Sequence, residues 1–329
     1  MTPLAPTLQA FFTQRLIGQR RASPNTIAAY RDTFRLLLAF AETRTGRPPS
    51  RLQLEDLDAA LILAFLEHLE TDRRNGARTR NARLAAVHSL FRFAALAHPE
   101  HAQLIARVIA IQPKRADRTI VTFLTEAEVD ALLAAADRST WLGRRDHALL
   151  LLAIQTGLRV SELTGLRHAD VTLDHGAHVR CEGKGRKQRI TPLTRQTIGV
   201  LRAWLAENPG APTCPLFPAN HGGRLSRDAV ERLLAKHAAV AAQRCPTLTV
   251  KHVSPHVLRH TSAMRLLHAG VDTTVIALWL GHESTRTTDI YLQADLALKE
   301  KALARTAPPR THAGRYRAPD SLLAFLDGL

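Results

Sequence analysis

Apolar side chains recur at helical spacing through the first 110 residues, and the breaks between them carry capping residues. Ser23-Pro24-Asn25 supplies a cap followed by proline at the first helical position. Ile27, Tyr30, Phe34, Leu37 and Leu38 then share one face, and Gly46 closes the segment. Leu57, Leu61, Phe65 and Leu69 make a second stripe; Leu84, Val87, Leu90, Phe91 and Ala94 make a third. With Leu8, Phe11, Phe12 and Leu16 at the start, the pattern predicts a module of four or five helices.

The pattern stops at residues 111–122, IQPKRADRTIVT, a polar and basic stretch without periodicity that reads as a linker. Thr125 three residues before Glu128, ahead of an apolar run, is a capping box. A helix from about 144 should end at Gly157, a natural left-handed stop. Val171–Leu173, His178–Cys181 and Arg189–Leu193 have the character of short strands, the last two flanking a Gly-Lys-Gly turn. Helices resume near 194, 226, 255, 272 and 294, and no internal repeat is evident. The chain is therefore expected to be mainly α with a small antiparallel sheet, divided as 1–112, a linker over 113–123, a second domain over 124–306 and a tail over 307–329. A length of 329 residues suits two domains, each able to bury a core.

Charge points to the partner. Forty-five Lys+Arg stand against 29 Asp+Glu, a net +16, and an apolar share of 45% argues against disorder. Arginine outnumbers lysine 38 to 7, as a GC-rich genome favours, but codon bias does not create an excess of cations over anions. Residues 1–112 hold 15 cations and 9 anions, and residues 113–329 hold 30 and 20, so both halves are prepared to meet a polyanion. The three cysteines, Cys181, Cys214 and Cys245, are too scattered for a disulfide framework or a zinc site. The N-terminus lacks the pattern of a secretory signal, and no apolar run approaches the ~18 residues of a membrane span. A protein of a reducing, cytoplasmic compartment is expected.

Four segments carry candidate chemistry. Arg159, in TGLRVSELTGL, follows the Gly157 stop at the start of a new helix, where its guanidinium can offer a two-donor fork to a phosphate. Lys184, in CEGKGRKQRITPL, is flanked by Gly183 and Gly185; this is no Walker A loop, because Gly185 stands where Ser or Thr should follow. Lys187 is the neighbouring alternative. His256 and Arg259, in SPHVLRHTSAMRLLHAG, are three apart on the helix that Ser254-Pro255 opens. His252, His256 and His260 are spaced by four, but Pro255 leaves His252 outside that helix and the HExxH pattern fails at Val257, so no metal is expected; His260 and His268 read as structural or surface histidines. His282 follows Gly281, and Tyr291 stands nine residues on, the one tyrosine of three placed after this run of phosphate-binding candidates.

Taken in order, TGLRVSEL, EGKGRKQR, HVLRH, LGH and Tyr291 resemble the boxes of the tyrosine recombinase (phage integrase) family, especially its Xer-like bacterial members, over about residues 6–306. The resemblance implies a helical core-binding (SAM-like) clamp over 1–112 and, over 124–306, a catalytic domain of the DNA breaking-rejoining type. It implies six catalytic residues: Arg159, Lys184, His256, Arg259, His282 and the nucleophile Tyr291. Tyr291 would attack a phosphodiester to leave a 3′-phosphotyrosine and a free 5′-hydroxyl. Lys184 would protonate the leaving oxygen, Arg159 and Arg259 would clamp the phosphate, His256 would accept a proton or donate to the phosphate, and His282 would donate to it. Holding a tyrosine of pKa ~10 ionised near pH 7 costs roughly 4 kcal/mol, which such cations offset. Glu162, one turn past Arg159, is a candidate either for orienting the site or for a surface role.

The expected partners are double-stranded recombination sites, bound by a homotetramer or with related recombinase subunits at the nucleoid, with no cofactor, metal or membrane. Arg73, Arg74, Arg78, Arg80 and Arg83, with Arg186 and Lys187, are the expected DNA contacts. The role expected is integration or movement of a mobile element, although chromosome-dimer resolution uses the same residues. A DNA-binding regulator on the same fold and a relaxing topoisomerase are the competing readings. The tail, with Leu322, Leu323, Phe325 and Leu326, departs from the family pattern in its long spacer and could dock in its own domain or in a neighbour.

Overall fold

The computed structural model describes residues 2–115, 121–183, 188–282 and 287–294. It divides into two units, Met1–Arg118 and Thr119–Leu329. In the first, α1 (Leu4–Ala10) runs into a wider-wound stretch over Phe11–Gln19, followed by α2 (Pro24–Thr45), α3 (Ala59–Thr71), α4 (Ala77–Ala97) and α5 (Ala102–Ile109). Ser23 caps α2 by accepting from the Thr26 N–H at 3.2 Å, and Gly46 ends it at φ 68°. The buried faces are those the apolar spacing marked, with Leu84, Val87, Leu90, Phe91 and Ala94 of α4 all inside. On α3, Ile62 and Leu66 join Phe65 and Leu69 in the core while Leu61 is partly buried, so that stripe sits one residue round from its sequence reading.

The start of the predicted linker is fastened to this unit. Ile111 is buried, and the Asn81 amide brackets Lys114, donating to its carbonyl at 2.7 Å and accepting from its N–H at 3.0 Å.

In the second unit, α6 (Glu126–Ala134) opens with the Thr125 capping box, the Thr125 N–H donating to Glu128 at 2.8 Å. Next come α7 (Trp141–Thr156) and α8 (Val160–Gly165). Three strands follow, β1 (Val171–Thr172), β2 (His178–Glu182) and β3 (Gln188–Pro192), antiparallel in that order, with Cys181 opposite Arg189 and Glu182 opposite Gln188. Five helices complete the described chain: α9 (Arg195–Glu207), α10 (Arg227–Ala242), α11 (Pro255–His268), α12 (Thr273–Leu280) and α13 (Asp289–Ala294). Mainly helical with one small antiparallel sheet is thus the observed fold class.

α7 begins three residues earlier than its sequence reading because Thr140 caps it, accepting from Gly143 N–H at 3.0 Å. It is buried along most of its length, and its charged pair is built in. Arg145 donates to Asp146 at 2.7 Å and to the Pro218 carbonyl at 2.9 Å, and Asp146 pairs with His237 of α10 at 2.9 Å. Those bonds fix the depth of α7, and so the position of its last residue. The helix ends at Gly157, φ 64°, and a Cβ there would lie 2.5 Å from Leu280 Cδ2 and 3.0 Å from Ser262 Oγ. Gly157→Ala therefore adds left-handed backbone cost to overpacking, a loss of about 2 kcal/mol or more. Urea unfolding of the variant should show that loss, with helix content of the folded state unchanged.

Candidate active site

Two helix ends build the site. α7 stops at Gly157 and α12 at Gly281, both left-handed, and helix C-termini carry carbonyls without intrahelical donors at the negative end of the helix dipole. Arg259, on α11 and only 5% exposed, binds both ends: Nη1 donates to the Gly157 carbonyl and Nη2 to the Leu280 carbonyl, each at 2.7 Å. Burial, and then the charge of Arg159, pull its pKa down to about 10, which leaves it cationic at neutral pH.

Arg159 caps α8. Its backbone N–H donates to Glu162 Oε2 at 2.7 Å, Nη1 donates to Glu162 Oε1 at 2.9 Å, and Nη2 donates to the Gly281 carbonyl at 3.0 Å. Its side chain is 31% exposed, so the guanidinium is anchored on one side and open on the other. Glu162 also takes both forks of Arg189, at 2.9 and 2.7 Å. Burial pushes the Glu162 carboxyl up, but hydrogen bonds from Arg189 and Arg159 outweigh it and hold the pKa below the usual carboxylate range. Glu162 thus has an orienting contact with Arg159, in keeping with its sequence reading. Arg189 was not singled out in the sequence at all.

Tyr291 packs in α13 with 1% exposure. Its hydroxyl lies 3.0 Å from His260 Nδ1, and its ring stacks on His282 at 6.4 Å and 15°. Burial raises the phenol to about 12 against the opposing charge of Arg259. His282 Nδ1 lies 2.9 Å from the buried Thr288 Oγ1. Burial holds the His282 imidazole at about 4, helped by Arg259 and Arg159. His260, read from sequence as structural or surface, instead touches the candidate nucleophile; burial, then His256 and Arg259, take it to about 4. His256 is exposed, its ring 6.4 Å from that of His260, and its pKa is lowered by partial burial and then by Arg227 and Arg259. It borders a cavity of 670 Å³ shared with Val160, Arg227 and Lys251.

Arg159, His256, Arg259, His282 and Tyr291 are thus gathered around the ends of α7 and α12. Lys184, Arg186, Lys187 and the tail 307–329 lie outside the described residues, although the strands flanking the lysine pair as expected at Glu182 and Gln188. In the N-terminal unit Arg73, Arg74 and Arg78 are exposed and Arg83 is half-buried. Arg80 needs correction: it is 4% exposed and turned inward, donating to the Gln112 carbonyl at 3.3 Å and lying 3.7 Å from Glu70, so its charge ties α4 to the following chain instead of facing a partner.

His260 and His282 titrate lower folded than the ~6.5 of an unfolded chain, so between about pH 6.5 and 4 the unfolded state binds more protons. Their neutral packing supports the fold fully above pH 6.5, and that support is lost as pH falls toward 4. Urea midpoints measured at pH 7 and pH 5 should fall on acidification, and His260→Gln should lessen the fall.

Comparison with known proteins places this geometry. The model for "Phage integrase family" matches residues 122–297, and that for "Phage integrase, N-terminal SAM-like domain" matches residues 10–98. The chain is 57% identical over 326 residues to a protein of Sinorhizobium fredii named integrase/recombinase y4rC, covering 99% of this chain and 98% of that one. It is 35% identical to the tyrosine recombinase XerC of Pelobacter propionicus, covering 90% and 93%. Among solved structures, the XerH site-specific recombinase bound to its palindromic difH substrate aligns with a TM-score of 0.66 at 22% identity, covering 87% of this chain and 81% of that one. The Tn1549 transposon integrase with transposon right-end DNA aligns with a TM-score of 0.68 at 16% identity, covering 93% and 99%; at these identities the two structures speak for the fold. Two matched family models and a relative alike from end to end lead to one conclusion: the chain belongs to the phage integrase family, the tyrosine-type site-specific DNA recombinases.

Proposed function

We propose that this recombinase cuts and rejoins duplex DNA through a 3′-phosphotyrosine at Tyr291, within a tetramer on paired sites. The observation that carries the reading is the convergence of two anchored guanidiniums, Arg159 and Arg259, with His282 and the Tyr291 phenol around the ends of α7 and α12. In the reaction the phenolic oxygen bonds to phosphorus and the P–O5′ bond breaks. The phenolic proton leaves to an imidazole, either His256, which otherwise donates to the phosphate, or His260, whose Nδ1 is 3.0 Å from the hydroxyl, and Lys184 delivers a proton to the departing 5′ oxygen. Arg159 and Arg259 meet the charge that grows on the non-bridging oxygens, preorganised because their other N–H groups are already committed. The bond energy is kept in the ester, so reversal by a 5′-hydroxyl needs no nucleotide cofactor and no metal.

In the resting state, ionising Tyr291 at pH 7 is opposed by roughly 7 kcal/mol, five pH units below a pKa of about 12. With its ring 1% exposed, α13 has to shift before the phenol meets a phosphate, and the phosphate then adds the polar environment that burial removed. Residues 1–112 serve as the DNA clamp of this scheme, 113–123 as the linker and 124–306 as the catalytic domain, with the tail 307–329 available for docking between protomers. Arg73, Arg74, Arg78 and Arg83 make backbone contacts there, joined by Arg186 and Lys187 near the cut, so affinity should fall steeply with salt. Integration or movement of a mobile element is the role assigned to it, in line with the name integrase/recombinase carried by the relative of 57% identity. The enzyme works in the cytoplasm at the nucleoid.

The deciding experiment incubates the protein with a nicked suicide substrate containing its site. Wild type should form a covalent protein–DNA adduct, Tyr291→Phe none, and Arg159→Lys or Arg259→Lys an adduct at least about 100-fold more slowly, as expected when a developing charge loses its preorganised donors. An adduct that persists in Tyr291→Phe sinks the mechanism, and relaxation without strand exchange favours a topoisomerase. Lys184→Ala should cleave poorly on an ordinary phosphodiester and recover on a substrate with sulfur at the bridging 5′ position, because a thiolate leaves without a proton.

A further inference from the structure

Arg189 is not among the reactive residues named above, yet its side chain is bound into the framework that holds them. It is the second residue of β3, five positions beyond Lys184, and its side chain is 12% exposed. Both of its terminal nitrogens meet both oxygens of Glu162, a two-pronged geometry that fixes the plane of the carboxylate as well as its place. Glu162 passes that orientation on, since the same two oxygens receive the backbone N–H and Nη1 of Arg159.

Arg189 also lies beneath the second support of Arg159. The Gly281 backbone, whose carbonyl takes Arg159 Nη2, packs on the arginine so closely that a Cβ at Gly281 would stand 2.9 Å from Arg189 Nη1 and 3.3 Å from its Cδ. His282 is the next residue after this turn. An anchor at Gly281 and an anchor at Glu162 therefore rest on one side chain.

We propose that Arg189 is a positioning residue of the cleavage reaction: it holds Glu162 and the Gly281 turn so that Arg159 and His282 face the scissile phosphate. The inference rests on the catalytic reading given under Proposed function. It assigns Arg189 no contact with the substrate. Its charge has a second use. Glu162 is buried, and a buried carboxylate that keeps only Arg159 as a cation moves toward its neutral form, in which one oxygen carries a proton where an arginine N–H should be accepted. Arg189 keeps the carboxylate ionised for Arg159.

The test uses the full-length protein, with Arg189→Met and Arg189→Lys, on the nicked suicide substrate and across pH 5 to 9. DNA affinity at fixed salt should stay within about threefold of wild type, because phosphate contacts lie elsewhere. Single-turnover cleavage at saturating protein should fall about 100-fold or more in Arg189→Met and only about tenfold in Arg189→Lys, a lysine supplying the charge without the fork. The acid limb of the rate–pH profile should move to higher pH in Arg189→Met and should not move when Glu162→Gln is added, since the titrating group is then gone. The double variant should cleave no more slowly than the slower single one.

Wild-type rate and pH profile in Arg189→Met would overturn the inference while leaving the recombinase reading intact. Failure of wild type to form any adduct would overturn that reading instead. Should Arg189→Met not fold, as judged by its thermal melt, Arg189→Lys decides alone. A wild-type rate with an unmoved acid limb in that variant is the overturning result, and a slowed rate with wild-type affinity is the supporting one.

Discussion

A buried guanidinium that binds two helix ends organises the catalytic unit. Arg259 donates to the carbonyl of Gly157, the residue that caps α7, and to the last carbonyl of α12, so the relative position of those helices is set by one planar cation. Carbonyls at helix termini are strong acceptors that still need donors, and a buried arginine needs acceptors on every available N–H; each solves the other's desolvation. Two glycines make the arrangement possible. Only a left-handed residue at 157 and 281 turns the chain sharply enough for the carbonyls to face inward, and neither position has room for a Cβ. α7 is in turn held in depth by Arg145, Asp146 and His237, so a polar network remote from the chemistry determines where its end lies.

Around this brace the remaining charges fall into an unequal set. Three guanidiniums, Arg159, Arg189 and Arg259, surround one carboxylate, Glu162, and the nearby imidazoles are kept neutral by burial and by those same cations. In the proposed reaction, a phosphodiester completes this excess of positive charge. Tyr291 meanwhile sits against His260 and His282, and burial holds its phenol in the protonated form.

Much of this was legible in the amino-acid order because its signals are local. Ser23-Pro24, Thr125 with Glu128, Gly46 and Gly157 each mark a helix boundary through bonds made within a few residues, and the structure has boundaries at all four. Arg159, His256, Arg259, His282 and Tyr291 stand out by motif spacing, and folding brings them to one place. What stayed hidden depends on distant partners. Arg189 lies in the basic run KGRKQR, where nothing in the letters distinguishes a cation that meets Glu162, 27 residues away, from the other cations of the run. Arg80 shares a cluster with Arg78 and Arg83, and its inward turn follows from Glu70 and Gln112. His260 looked structural because its partner, Tyr291, is 31 residues on and reaches it only through the packing of α13 against α11.

The unequal charge set ties the enzyme's durability to its substrate. A state that carries three buried or half-buried cations against one anion spends part of its folding free energy on self-repulsion, and any anion that binds there returns it. By mass action, a ligand that occupies only the folded state adds stability in proportion to RT ln(1 + [L]/Kd). In a cell, DNA is present at high local concentration and is long-lived. Molecules seated on it are therefore better protected from unfolding and proteolysis than those in free solution, and the population is weighted toward protein that is already on DNA.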